Sequence, residues 1–120
     1  MPPRCLLVDD NDAFLQAASL LLEREGVTVA GVASSIAQAL AQARALRPDL
    51  ILVDIGLGEE SGFDLARLLA LDDPDADVIL ISTAAEADYG ELIQDSPAAG
   101  FLPKSELSLH GISRLLGHTP

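Results

Sequence analysis

The sequence predicts an α/β fold in which a parallel β-sheet is covered by helices on both faces. Five short apolar segments alternate with segments whose apolar residues recur at helical spacing, the pattern of repeated strand–helix units. The strand segments are almost continuously apolar, as expected for strands that are buried on both faces. A chain of 120 residues with 49% hydrophobic residues is long enough to form one domain with a substantial core.

The first two strand–helix units are separated by polar residues that can cap helices. Residues 4–8 (RCLLV) predict the first strand, and the polar cluster at 9–12 (DDND) follows it at the start of a helix. The inner face of this helix is predicted from apolar residues at helical spacing: Phe14, Ala18, Leu21 and Leu22. Residues 27–32 (VTVAGV) predict the second strand, and serines 34–35 cap a second helix that ends before Pro48.

The second half of the chain continues the alternation. Residues 50–53 (LILV) predict the third strand, and the loop 56–62 (GLGEESG) leads into a third helix that ends in the Asp-rich segment around Pro74. Residues 78–81 (VILI) predict the fourth strand, and residues 86–94 a short fourth helix. Residues 100–103 (GFLP) predict a brief fifth strand. The last helix is expected from four apolar residues at helical spacing: Leu109, Ile112, Leu115 and Leu116.

Right-handed crossovers leave few topologies for five such units. We predict the doubly wound, flavodoxin-like (βα)5 arrangement with strand order 2-1-3-4-5, and a Rossmann-like half is the alternative. In these sheets ligands bind beyond the carboxyl ends of the strands, at the switch point between strands 1 and 3. The chemically useful side chains of this sequence follow the strands at that edge: Asp9, Asp10, Asp54, Ser82, Thr83 and Lys104.

Each of these residues alone has an ordinary structural interpretation, as a helix cap, a turn hydroxyl or a solvated lysine. Together they form a coherent set, because converging carboxylates repel one another unless a cation lies between them. Oxygen ligands without a nearby His or Cys suit Mg²⁺ better than zinc. A carboxylate beside such a metal can attack phosphorus to give an aspartyl phosphate, while Lys104 neutralises charge and Ser82 donates a hydrogen bond.

Charge and composition exclude several classes of function. The formal net charge of −12 should repel nucleic acid and anionic lipid, so direct nucleic-acid binding by this chain is not expected. No apolar run approaches the roughly 20 residues that span a bilayer. Cys5 is the only cysteine, and no signal-peptide pattern opens the chain, which indicates a reducing, cytoplasmic setting.

Four motifs in this order and spacing resemble the receiver domain of bacterial two-component response regulators. They are LLVDDND at 6–12, LILVDIGL at 50–57, ILISTA at 79–84 and GFLPKS at 100–105. The resemblance covers the chain as a single domain over residues 1–120. The stretch GFLPKSEL is similar to LuxR/FixJ-like receivers that precede DNA-binding domains. We therefore expect either a stand-alone receiver or the N-terminal part of a longer regulator.

The resemblance implies a phosphoacceptor and a metal site. Asp54 would accept the phosphoryl group. Asp9, Asp10 and Asp54 would bind Mg²⁺ together with the backbone carbonyl of Gly56, and Mn²⁺ could replace Mg²⁺.

The resemblance also implies a conformational switch. Lys104 would contact the phosphoryl group, and Ser82 would be the switch hydroxyl that is drawn inward by phosphorylation. Phe101 would be the aromatic switch that moves into the vacated space, although its alternation with Gly100 and Leu102 also fits an ordinary core residue. The surface of helix 4, strand 5 and helix 5 would change as a result.

Three positions depart from the family pattern. Gly58 stands where many members have proline, which is expected to make the loop after Asp54 more pliable. Thr83 stands where a smaller residue is usual, which is expected to narrow access to the phosphoryl group. Ser105 follows the lysine where proline is common, which puts the cis peptide bond often formed there in question.

The function implied is a phosphorylation-activated signalling switch in a Mg²⁺-dependent phosphorelay. The phosphoryl donor would be a sensor histidine kinase or a phosphotransfer protein. The chain would promote its own aspartyl phosphorylation and dephosphorylation without being a conventional enzyme. A homodimer through helix 4, strand 5 and helix 5 is a further expectation from the family, with Leu92, Ile93 and Arg114 as candidate contacts.

Two competing functions stay open at this stage. One is a phosphorylation-independent protein-interaction module on the same fold. The other is a haloacid-dehalogenase-like phosphohydrolase, which also uses an aspartate after a parallel strand. That class typically needs a second acid two residues later, and Gly56 stands at that position.

Overall fold

In the computed structural model, which describes residues 3–72, 74–83 and 89–117, the sheet has the predicted order. Its five strands are β1 (Arg4–Val8), β2 (Thr28–Ala33), β3 (Leu50–Asp54), β4 (Asp77–Ser82) and β5 (Gly100–Pro103). They pair in parallel in the order β2-β1-β3-β4-β5, which confirms the doubly wound α/β fold. The Rossmann-like alternative is wrong, because it would separate β1 from β3.

Helices connect the strands as the periodicity predicts. They are α1 (Asp12–Arg24), α2 (Ile36–Leu46), α3 (Gly62–Asp72), α4 (Gly90–Asp95) and α5 (Leu109–Leu116), with a 3₁₀ turn at Lys104–Glu106. Of the predicted fourth helix, residues 86–88 lie outside the described residues, and the described part is a helix only from Gly90. A hairpin that we did not predict pairs Gly56–Leu57 with Glu60–Ser61.

The core has two layers, one on each face of the sheet. Leu6 and Val8 of β1 pack in the layer covered by α2 and α3, whereas Cys5 and Leu7 pack in the layer covered by α1 and α5. Successive strand residues point to opposite faces, so a strand buried on both faces must be apolar throughout. Such burial contributes about 1.5–3 kcal/mol for each large apolar side chain.

The apolar face of α1 differs from the prediction. Its buried residues are Leu15, Ala18 and Leu22, whereas Leu21 is 38% exposed. Phe14 is half-buried at the edge of the layer covered by α1 and α5. Ala18 and Leu22 are buried as predicted, but the buried face is centred nearer Leu15 than in our assignment, so that Phe14 lies at its edge.

Two further backbone and helix features bear on the sequence predictions. The peptide bond between Lys104 and Ser105 is trans, and no cis peptide bond occurs in the described part of the chain. Within residues 3–72, 74–83 and 89–117, no helix has the length and apolar character needed to cross a bilayer.

Candidate functional site

The carboxyl ends of four neighbouring strands bring the predicted polar residues to one edge of the sheet. Asp54 is the last residue of β3 and Ser82 the last residue of β4, while Asp9 and Lys104 directly follow β1 and β5. The parallel registers place Val8 beside Val53 and Ser82 beside Pro103, so these strands end at a common level. The predicted convergence of these residues is therefore confirmed.

The acidic cluster consists of Asp9, Asp10 and Asp54. One carboxylate oxygen from each residue lies within 4.8 Å of the others. Asp9 is fully buried and Asp54 is 9% exposed, whereas Asp10 is exposed. Two buried carboxylates so close together are costly unless positive charge compensates them.

Neither Asp9 nor Asp10 caps the N-terminus of α1. Asn11 is the N-cap residue, and its Oδ1 accepts a hydrogen bond of 3.1 Å from the backbone N–H of Phe14. Asp9 instead accepts a hydrogen bond of 2.9 Å from the backbone N–H of Asn11 at its Oδ1 atom. The interpretation of Asp9 and Asp10 as mere caps is wrong, and the second oxygen of Asp9 remains directed into the cluster.

Lys104 provides the positive charge of the site. Its Nζ lies 2.6 Å from Asp9 Oδ2 and 3.4 Å from Asp54 Oδ2. The Lys104 side chain is only 13% exposed, so it is not an ordinary solvated lysine. Its contact with Asp9 is an ion pair without hydrogen-bond geometry, and Asp9 Oδ2 has no hydrogen-bond partner among the described residues.

Burial and the charge of Asp9 change the acidity of Asp54. Loss of solvent raises the pKa of its carboxyl group most, and the negative charge of Asp9 raises it further. Lys104 and the backbone N–H of Gly56, which donates to Asp54 Oδ1 at 3.3 Å, act in the opposite direction. The net effect raises the pKa of Asp54 from 3.8 to about 6, so one lysine does not fully compensate the two buried acids.

The donor set of the cluster fits a small divalent cation. It offers carboxylate oxygens and no histidine or thiolate, which is the chemistry that Mg²⁺ and Ca²⁺ prefer. The buried Asp9 Oδ2 atom, which lacks a hydrogen-bond donor in the described part, is an acceptor that a cation could satisfy.

The loop after Asp54 depends on a close backbone contact that sequence reasoning missed. The N–H of Gly62 donates to the carbonyl of Ile55 at 2.7 Å. A Cβ atom at Gly62 would lie 2.0 Å from the carbonyl oxygen of Asp54, so no larger residue fits without moving the strand end. The GLGEESG stretch suggested a turn, but it did not show which glycine makes the contact.

The remaining predicted residues differ in their position relative to this cluster. Gly58 has a φ of +66°, which proline cannot adopt. The backbone at this position therefore could not accommodate the proline that is common in the family. Thr83, which directly follows Ser82, is exposed. Phe101 is 7% exposed and packs in the core layer of α2 and α3, not among the polar groups.

An aromatic contact completes the surroundings of Lys104. The Nζ atom lies 4.2 Å from the centre of the Phe14 ring, within the distance of a cation–π interaction. The sequence showed Phe14 only as an apolar helix residue, and the 90-residue separation from Lys104 gave no signal of the contact.

Comparisons with known proteins agree with this architecture. The family model described as "Response regulator receiver domain" matches residues 5–112. The response regulator GacA of Pseudomonas viridiflava is 30% identical over 102 residues, which cover 84% of this chain and 48% of that protein. The DNA-binding response regulator MtrA of Mycolicibacterium smegmatis is 34% identical over 93 residues, or 78% of this chain and 39% of that protein. The chain thus spans about half the length, or less, of these curated relatives.

Solved structures show the same fold. A LuxR-family response regulator from Aurantimonas sp. SI85-9A1 matches with a TM-score of 0.83 at 21% identity, over 98% of this chain and 88% of that chain. A Burkholderia pseudomallei response regulator matches with a TM-score of 0.80 at 30% identity, over 94% of this chain and 66% of that chain. The latter structure is described as containing a phosphorylated aspartic acid, a calcium ion and citrate.

Proposed function

The chain belongs to the family of response regulator receiver domains, and we propose on this basis that it accepts a phosphoryl group on Asp54 from a histidine kinase or phosphotransfer protein. Receiver domains are generally signalling switches and not conventional enzymes. The observation that most directly supports the proposal is the position of Asp54 at the end of β3, beside Asp9 and with its Oδ2 atom 3.4 Å from Lys104 Nζ. A nucleophile, an acid pair and a cation therefore share one crevice.

The proposed transfer uses the residues of this crevice in distinct ways. A carboxylate oxygen of Asp54 attacks the phosphorus of the donor in line, and the bond from phosphorus to the donor nitrogen or oxygen breaks. Lys104 Nζ is close enough to Asp54 to contact a phosphoryl oxygen after the transfer. Ser82, at the end of the adjacent strand β4, would donate its hydroxyl to another phosphoryl oxygen.

We propose that Mg²⁺, or Mn²⁺ in its place, is held by Asp9, Asp10, Asp54 and the backbone carbonyl of Gly56. When bound, the ion would neutralise the charge of the incoming phosphoryl group. The buried, incompletely satisfied Asp9 Oδ2 supports this assignment. So does the Burkholderia relative, described as containing a calcium ion and a phosphorylated aspartic acid.

The proposed output is a change in the surface of α4, β5 and α5, with Ser82 and Phe101 as switch residues. Phe101 is buried next to Leu80 of β4 in the register of the sheet, so a shift at the end of β4 would reach it through the core. Leu92 is 48% exposed and Arg114 is exposed, so both are accessible for the proposed homodimer. Ile93 packs against the core and is a weaker candidate.

We place the protein in the bacterial cytoplasm, where it would meet the catalytic part of its kinase. The curated relatives are longer than the matched region, and the name of MtrA includes DNA binding. By analogy, DNA binding would belong to a segment outside this chain, because the net charge of −12 disfavours contact between the receiver and nucleic acid.

Intact-mass spectrometry after incubation with acetyl phosphate and Mg²⁺ tests the proposal. We expect a gain of one phosphoryl group that is lost in Asp54→Asn, absent with EDTA and retained in the exposed-acid control Asp75→Asn. An unchanged mass would favour the phosphorylation-independent interaction module. Steady release of phosphate from a phosphate ester would favour a phosphohydrolase instead.

A further inference from the structure

We propose that Phe14 is a positioning residue for Lys104, holding the ammonium group beside the acceptor carboxylate through the face of its ring. The inference rests on the proposed function, because it assigns Lys104 to the phosphoryl-transfer site. It adds an aromatic residue of α1 to a site whose other proposed members are acids, a hydroxyl, a backbone carbonyl and the lysine.

The contact geometry carries the inference. Lys104 Nζ lies 4.2 Å from the centre of the Phe14 ring, while the same atom contacts Asp9 at 2.6 Å and Asp54 at 3.4 Å. The ammonium group therefore lies close to an aromatic ring and to two carboxylates at the same time. With the lysine side chain only 13% exposed, the attraction between cation and ring is weakly screened by water.

Two hydrogen bonds connect the backbone of Phe14 to Asp9. The N–H of Phe14 donates to Asn11 Oδ1, and the N–H of Asn11 donates to Asp9 Oδ1. Asp9 Oδ2 contacts Lys104 Nζ, and the same Nζ atom lies over the ring of Phe14. Residues 9–14 thus present a carboxylate and an aromatic ring to the same ammonium group.

The contact with Phe14 would hold the Lys104 ammonium group in place before phosphoryl transfer. A lysine has a flexible four-carbon stem, so holding its head group before the transfer removes part of the entropy loss that would otherwise oppose the transition state. Phe14 has no group that could ligate a metal or exchange a proton, so it can act only through Lys104 and by excluding water. Leucine would keep much of the apolar contact but would lack the ring quadrupole.

Nuclear magnetic resonance tests the contact directly, because Lys104 is the only lysine in the sequence and labelled lysine gives one set of side-chain signals. In the metal-free protein, we expect the Lys104 Cε protons to be shifted upfield by the ring. This shift should be lost in Phe14→Leu and kept in Phe14→Tyr. Leu22→Val, a buried substitution two turns along α1, is the matched control and should leave the Lys104 signals unchanged.

The rate of phosphorylation by phosphoramidate at saturating Mg²⁺ is the second measurement. We expect Phe14→Leu to lower the rate about 2- to 5-fold, and Phe14→Tyr to restore most of it, with Leu22→Val close to the parent protein. Identical Lys104 shifts in the parent and Phe14→Leu overturn the inference, as does an equal loss of rate in Phe14→Leu and Phe14→Tyr. If the parent protein accepts no phosphoryl group, the proposed function fails, and the Lys104 signals still decide whether Phe14 holds the lysine.

Discussion

Replacing the proposed phosphoacceptor should make the metal-free protein more stable at neutral pH. Asp54 is 9% exposed and shares its crevice with the buried Asp9, and the positive charge within reach is that of Lys104. Asparagine has nearly the same shape as aspartate, so Asp54→Asn removes the charge and keeps an acceptor for the N–H of Gly56. The protein is expected to gain stability by losing a group that its proposed function requires.

The pKa of Asp54 gives the size and the sign of this effect. Its folded-state value of about 6 lies above the ordinary 3.8, so the folded protein binds the proton more tightly than the unfolded chain between about pH 4 and 6. Ionisation of Asp54 therefore destabilises the fold above pH 6, by up to about 3 kcal/mol at roughly 1.36 kcal/mol per pH unit. Solvent at the mouth of the site screens part of this, and we expect about 1–3 kcal/mol.

Urea unfolding followed by circular dichroism, with EDTA present, measures this difference. At pH 7.5, Asp54→Asn should be more stable than the parent, and the advantage should shrink as the pH falls through 6 toward 4. Asp75→Asn removes an exposed negative charge and controls for the general effect of net charge, so it should change stability much less. Added Mg²⁺ should stabilise the parent more than Asp54→Asn, because the ion would compensate the carboxylate that the variant lacks.

Two outcomes would contradict the expected stabilisation by Asp54→Asn. If Asp54→Asn were no more stable than the parent at pH 7.5, the acidic cluster would not be under electrostatic strain. If the advantage were equal at pH 7.5 and pH 4, it would arise from packing or from the unfolded state and not from ionisation of Asp54.

Three other substitutions or reagents test single features of the site and core. Lys104→Met should destabilise the metal-free protein by about 3 kcal/mol in urea unfolding, because it leaves two buried carboxylates without their cation; a loss near zero would contradict the ion-pair geometry. Gly62→Ala should lower the free energy of unfolding by about 2–3 kcal/mol or more, and it should weaken Mg²⁺ binding measured by calorimetry. Gly56→Ala is the control and should be tolerated, because there is open space at its Cβ position. Equal losses of stability in the two variants would argue against the close contact between Gly62 and Asp54. Burial raises the pKa of the Cys5 thiol to about 12, so it should resist Ellman's reagent at pH 8 until urea unfolds the protein, and rapid labelling of the native protein would show that β1 opens readily.

Much of the fold could be predicted because its signals are local. The part of a strand that is buried on both faces must be apolar, and the short segments CLLV at 5–8, LILV at 50–53 and VILI at 78–81 satisfy this requirement. The regular alternation of strands and helices then restricts the sheet to a parallel arrangement with right-handed crossovers. From that topology it followed that Asp9, Asp54 and Lys104 would meet, although 50 residues separate Asp54 from Lys104.

Two other features, the buried face of α1 and the need for glycine at position 62, depend on contacts between separate segments. Periodicity predicted α1 but not the exact centre of its buried face. That face includes Leu15, leaves Leu21 38% exposed and places Phe14 beside Lys104. The need for glycine at position 62 depends on the backbone of Asp54, eight residues earlier in the chain.

The features that could be predicted from the sequence differ from the others in how far apart the interacting residues lie in the chain. Apolar periodicity and helix capping depend on residues that are near one another in the chain, so they can be read from the sequence. The topology of the sheet then extends this information to the residues at the ends of the strands. The burial of Asp9, the raised pKa of Asp54 and the ring beside Lys104 depend on distances of a few ångströms between segments that are far apart in sequence. The acids, the hydroxyl and the lysine at the edge of the sheet could therefore be predicted from the sequence, whereas their distances and surroundings depend on how α1 and the loop after β3 pack.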